Sequence, residues 1–157
     1  MATTYTAADL DRVSWHDCHV HGLELRTGDP DRGDWTSDLA LDLDFILEWP
    51  APASPARFLV APATLVFHGV TALRIAIDWG DDLHRVALHP LSIGGIERQP
   101  VADQRVYLDR PYYDWTVSLN WPAGKVSFGA HGFTQELRAE PVETEAQHLS
   151  PAQRRPT

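Results

Sequence analysis

Sulfur and basic charge are what this sequence has least of. Of its 157 residues, 22 are acidic and 13 basic, a formal net charge of −9. Lys125 is the only lysine, beside 12 arginines. Such a surface repels nucleic-acid phosphate and anionic lipid, so neither nucleic acid nor a membrane is the expected partner, and a basic protein is. Cys18 is the single cysteine, which excludes an internal disulfide and a cysteine-based zinc cluster. A reducing, cytoplasmic setting is the expectation. No apolar run approaches the ~20 residues that a spanning helix needs. The opening MATTYTAADLDRVSW lacks the basic and apolar regions of a secretory signal. No glycine-rich loop carries a lysine for phosphate, and no Gly-x-Ser-x-Gly elbow is present. No cofactor is expected.

What the sequence does have is a period of two, the period of a strand. Leu41, Leu43, Phe45, Leu47 and Trp49 fall on one face, opposite Asp42, Asp44, Ile46 and Glu48. The second set reads as a mostly wet outer face. Leu73, Ile75, Ile77 and Trp79 alternate with Arg74, Ala76 and Asp78. Tyr113, Trp115, Val117, Leu119 and Trp121 alternate with Asp114, Thr116, Ser118 and Asn120. Pro122–Lys125 then reads as a turn, and Val126, Phe128 and Ala130 resume the alternation, so the pattern predicts a hairpin. Weaker strands are expected at Val20–Arg26, Arg57–Val60, Thr64–His68, Leu91–Arg98, Gln104–Leu108 and Phe133–Ala139. Parity slips at Gly94-Gly95, as a β-bulge requires. Only Thr6–Val13 looks helical.

The expectation is therefore an all-β protein: an antiparallel sandwich or open barrel of about 8–10 short strands, with at most one or two short helices. Residues 1–140 form a single domain and 141–157 a polar, frayed tail. Leu43, Phe45, Leu47, Leu65, Phe67, Leu73, Ile75, Ile77, Val117, Leu119 and Phe128 are the expected core.

Candidate chemistry concentrates in Trp15-His16-Asp17-Cys18-His19-Val20-His21. Asp17, His19 and His21 share a parity and are the candidate metal ligands, because alternate strand residues face one way. The Asp-x-His-x-His spacing matches the first metal motif of amidohydrolases. That motif belongs to a (β/α)₈ barrel of about 250 residues, which this chain is too short to form. The plainer reading makes these histidines structural or solvated, with Leu23 and Leu25 carrying their parity toward the core unless a bulge resets it. Cys18 reads as a packed thiol, and Asp42, Asp44 and Glu48 as solvated. His68, His84, His89 and His131 are scattered.

Trp15–Asp17, LDLDFILEW (41–49), APATLVFHGV (61–70) and LRIAIDW (73–79) together resemble a group of small bacterial domains of uncharacterised function. That group is similar to the YxiG-like immunity-type families, which share an early Trp/Phe-His-Asp motif. The resemblance covers residues 13–80. It implies an intracellular all-β domain and toxin neutralisation as a role, with His16, Asp17 and His68 as the matched polar positions. It carries over no catalytic residue. The expected function is non-enzymatic binding of another protein, of the immunity type, through candidates His16, Asp17, His19, His21 and His68. The rival is a small metal- or ligand-binding barrel or hydrolase built on His16, Asp17, His19 and His21. Homo-oligomerisation through strand edges is a third reading.

Overall fold

The computed structural model describes residues 4–52, 57–80, 90–101 and 110–155. Its strands are β1 (Thr4–Thr6), β2 (His19–Thr27), β3 (Ser37–Glu48), β4 (Phe58–His68) and β5 (Thr71–Asp78), then β6 (Leu91–Pro100), β7 (Tyr113–Trp121), β8 (Ala123–Ala130), β9 (Gly132–Leu137) and β10 (Val142–Thr144). The only helices among the described residues are short 3-10 turns at Ala7–Arg12 and Pro30–Arg32. No helix there is long and apolar enough to cross a membrane. The strands form one antiparallel sheet, ordered β1-β9-β4-β3-β2-β6-β7-β8-β5, with β10 added on β4. It is all-β and does not close into a barrel. The expected strand Gln104–Leu108 lies outside the described residues, as do His84 and His89.

The two halves of the sheet meet at a narrow seam. β2 pairs with β6 only at His19–Ser92 and Val20–Leu91. The halves fold toward each other about that seam, and their facing aromatic rings make the core. Phe67 of β4 lies 5.2 Å from Trp115 of β7 and 4.7 Å from Phe128 of β8, with Phe133 of β9 5.9 Å from Trp115. Leu39, Leu41, Leu43 and Phe45 of β3 join them, directly paired with Phe67, Leu65, Ala63 and Ala61. Burying a side chain such as Phe67 contributes about 2–3 kcal/mol.

Strand β4 runs through the gap between two expected strands, and through Pro62. A proline is tolerated because of where its missing donor points. The Pro62 carbonyl accepts from the Arg138 N–H at 2.8 Å, just past the end of β9, and β10 pairs with β4 only over Phe58–Val60. N–H and C=O of one strand residue point the same way, so the absent donor faces the break between those partners.

The expected hairpin forms, with Tyr113 paired to Ala130 and Val117 to Val126. Its turn is tighter than expected: Gly124 and Lys125 lie inside β8, paired with Leu119 and Ser118. Gly124 is needed for packing, since a Cβ there would sit 2.4 Å from the Ala76 carbonyl oxygen of β5. Trp115 and Val117 are buried as expected, but Trp121 is 54% exposed. The reason is local. Ser92 pairs with Trp121 while Ile93 pairs with Leu119, so Asn120 is an extra residue on β7. This bulge turns Trp121 to the outer face. A compensating bulge at Gly94, where parity slips in the sequence, restores the register.

Three further expectations are corrected. Ile75 pairs with Val126 on the expected face, yet is 50% exposed, because β5 ends the sheet and pairs only with β8 among the described strands. The outer face of β3 is not wet at its centre: Asp44 and Ile46 are buried. The reason is that the segment from Pro141, read as frayed, forms β10 and then crosses that face. Leu149 is buried there.

Candidate functional site

The Trp-His-Asp segment is a tight turn leading into β2. The Cys18 N–H donates to the Trp15 carbonyl at 3.0 Å, and Asp17 has φ 61°. A turn with positive φ at its third residue is of type II, and aspartate tolerates that backbone better than most residues. Trp15 anchors the turn in the core, its indole N–H donating to Gln135 Oε1 at 2.7 Å. The Asp17 N–H is held by the Ile93 carbonyl at 2.8 Å. Cys18 is fully buried, and burial pushes its thiol up to about 12.

His16 and Asp17 find different partners, as expected of a structural pair. His16 Nδ1–H donates to the Gly94 carbonyl at 3.2 Å, and its ring stacks on Trp49 with centroids 6.0 Å apart. The Asp17 carboxylate accepts from Asn120 Nδ2 of β7 and from Gln147 Nε2 at 3.1 Å. The turn nonetheless keeps the two side chains on one side, with His16 Nε2 3.6 Å from Asp17 Oδ1. An extended chain would have sent them apart.

From Asp17 a row of directly paired residues crosses four strands on the outer face. Asp44 of β3 pairs with His19 of β2, His19 with Ser92 of β6, and Ser92 with Trp121 of β7. His21 joins this face because it is the extra residue of a bulge: Val20 pairs with Leu43 and Gly22 with Asp42. The bulge lets His21 Nε2–H donate to Asp44 Oδ2 at 2.9 Å, while Leu23 and Leu25 return to the inner parity, paired with Leu41 and Leu39, but are 36% and 50% exposed and do not join the core.

The C-terminal segment lies over one end of the row. The His148 ring stacks on His19 at 4.8 Å and 10°. The Leu149 N–H donates to Asp44 Oδ2 at 2.9 Å. Arg154 bridges Asp44 and Asp42 with its two terminal nitrogens, and Arg138 also pairs with Asp42. Burial alone pushes the Asp44 carboxyl up. The His21 and Leu149 hydrogen bonds and the Arg154 charge outweigh it and hold the group below the ordinary carboxylate value. His19 goes down, through burial first and then through His148 and His21, so its ring is neutral at pH 7.

The candidate metal ligands do not converge. Asp17 accepts from two amides, His21 donates to Asp44, and, among the described residues, His19 stacks on His148 without using its ring nitrogens. Among the described residues no three His, Cys, Asp or Glu gather closely enough to hold a metal ion. His68 is elsewhere: its Nδ1–H donates to Asp38 Oδ2 at 3.1 Å, and its Nε2 meets Thr134 Oγ1 at 2.9 Å, tying β4 to β3 and β9. Asp44, Asn120, Trp121, Gln147, His148 and Arg154 are site residues that sequence reasoning missed.

At the other end the row is open. Asp17, His19, Pro90, Ser92, Asn120 and Trp121 line a shallow depression of about 590 Å³. Beyond His16, Trp49 is 46% exposed and leads to a second depression of about 400 Å³, which carries Glu48 and Glu143. Among known protein families, curated proteins and solved structures, nothing matches this chain.

Proposed function

We propose that this protein is a non-enzymatic binding domain whose partner is a basic protein, in the manner of an immunity protein that neutralises a toxin. The observation that carries the reading is a continuous face with two half-exposed tryptophans. Trp49 stacks on His16, His16 lies against Asp17, Asp17 holds Asn120, and Asn120 adjoins Trp121. Half-exposed tryptophans around a polar centre are the composition of an interface hot spot. A lone exposed tryptophan needs no explanation, but two joined through one hydrogen-bonded strip form an organised patch. The net charge of −9 speeds encounter with a basic partner and discourages others.

The test is affinity capture from the host lysate with the wild-type chain, Trp49→Ala and Trp121→Ala, followed by mass spectrometry. Both variants are expected to fold, since both side chains are half exposed. The expected result is a basic protein held by the wild type and reduced about tenfold or more by each variant, as for hot-spot tryptophans. Equal capture by all three chains would remove this face as the interface.

A further inference from the structure

The geometry points to the depression between Asp17 and Trp121 as a receptor for one arginine side chain of a protein partner. The inference rests on the partner-binding reading above and names the chemistry that this face takes. Asp17, His19, Ser92, Asn120 and Trp121 line the depression. The Asp17 carboxylate supplies negative charge, and Trp121, 54% exposed at its edge, supplies an aromatic surface.

The remaining polar groups have unused accepting capacity. Among the described residues, Ser92 Oγ and the His19 ring nitrogens have no hydrogen-bond partner, and Asn120 donates through Nδ2 while its Oδ1 is unengaged. The neutral His19 ring offers a lone pair and no opposing charge. Carboxylate, amide oxygen, hydroxyl and imidazole spread around an aromatic ring suit a planar fork of five donors better than a compact ammonium. An anion would meet Asp17 and the overall acidic field, and a purely apolar group would leave the polar groups dry.

The protein uses the same chemistry twice within itself. Arg154 is received by Asp42 and Asp44 farther along the same face, and Arg98 lies 4.4 Å from the ring centre of Tyr113, on the strand that carries Trp121. The open end of the row presents both elements, carboxylate and exposed ring, and among the described residues that line it there is no arginine.

The experiment uses the full chain and three blocked tripeptides, glycine–X–glycine with X arginine, lysine or glutamine. The indole N–H resonances of the protein are followed by NMR and assigned with the tryptophan variants. The expected result is that the arginine peptide shifts the Trp121 indole with a dissociation constant of order 1 mM. It should bind about fivefold or more tighter than the glutamine peptide, with lysine between. Asp17→Asn and Trp121→Ala should each weaken it by a similar factor, and Trp35→Ala, at a tryptophan 81% exposed and outside the depression, should leave it unchanged. Equal shifts by the glutamine peptide, or arginine binding that survives both variants, would overturn the inference. The two readings fail separately. Absent peptide binding with capture that depends on Trp49 removes only the arginine receptor. Peptide binding with capture indifferent to Trp49 removes only the wider interface.

Discussion

Asp44 and Asp17 sit on the same face of the same sheet and have opposite fates. Asp44 is 0% exposed and meets a histidine, a backbone N–H and a guanidinium, all from this chain. Asp17 is held by two neutral amides and borders an open depression that it shares with an exposed tryptophan. The difference lies in the cover. The C-terminal segment neutralises one carboxylate with Arg154, and at the other it lays down only the uncharged Gln147. A buried carboxylate with cations on it is architecture. A partly exposed one, with no lysine or arginine on it among the described residues, is where the proposed arginine of a partner would enter.

Removing Asp44 should break this contrast most severely. Asp44→Ala leaves Arg154 and His21 without their buried acceptor, and should cost about 3–5 kcal/mol in urea unfolding. Arg154→Ala should cost less, about 1–3 kcal/mol, because His21 and the Leu149 N–H still serve Asp44. Its distinguishing sign is hydrogen exchange: the Leu149 amide should lose protection while the Phe67–Trp115 core keeps it.

Acid sharpens the same contrast. The folded Asp44 carboxyl lies below its ordinary value of 3.8, so its contribution is full above that pH and fades as pH falls through the lower folded value. Asp44→Asn should therefore flatten the acid limb of the stability curve. His19 is also lowered, from 6.5, and its sign works out as a loss on acidification. The unfolded chain takes up that proton first, so stability drops as pH falls below 6.5 toward the folded value. His19→Gln should remove that part of the slope, read as Tm against pH between 7.5 and 5. The smallest effect belongs to Asp17→Asn, within about 1 kcal/mol, since asparagine tolerates the same turn and keeps one acceptor.

Alternation along the chain was enough to read the long strands, the 113–130 hairpin, the bulge at Gly94 and most inner-face residues, because one-sided burial writes itself as period two, while the three-residue strands β1 and β10 are too short to show it. Trp121 was misread because an extra residue at Asn120 inverts the pattern, and nothing marks that position as Gly94-Gly95 marks the partner bulge. Ile75 was misread because alternation gives a face and not a cover. Asp44 was misread for a related reason. Its cover comes from more than 100 residues away, through a segment whose apolar signal is little more than Val142 and Leu149, and whose Arg154 sits at no diagnostic spacing from the acids it joins. His16, Asp17 and His19 lie close together, as their places in the sequence suggest, but their division between a turn, a stack and a depression depends on the bulges.

Cys18 lies at the mouth of the β2–β6 seam, where its carbonyl accepts the Ile93 N–H at 3.0 Å. As the single thiol of the chain, buried and held protonated by that burial, it is a clock for the opening of the seam. A thiol reagent at mildly alkaline pH can modify it only in molecules that have opened around it. The labelling rate therefore counts local openings at this end of the sheet without any engineered probe, and a ligand that bridges β2, β6 and β7 across the Asp17 depression would slow it.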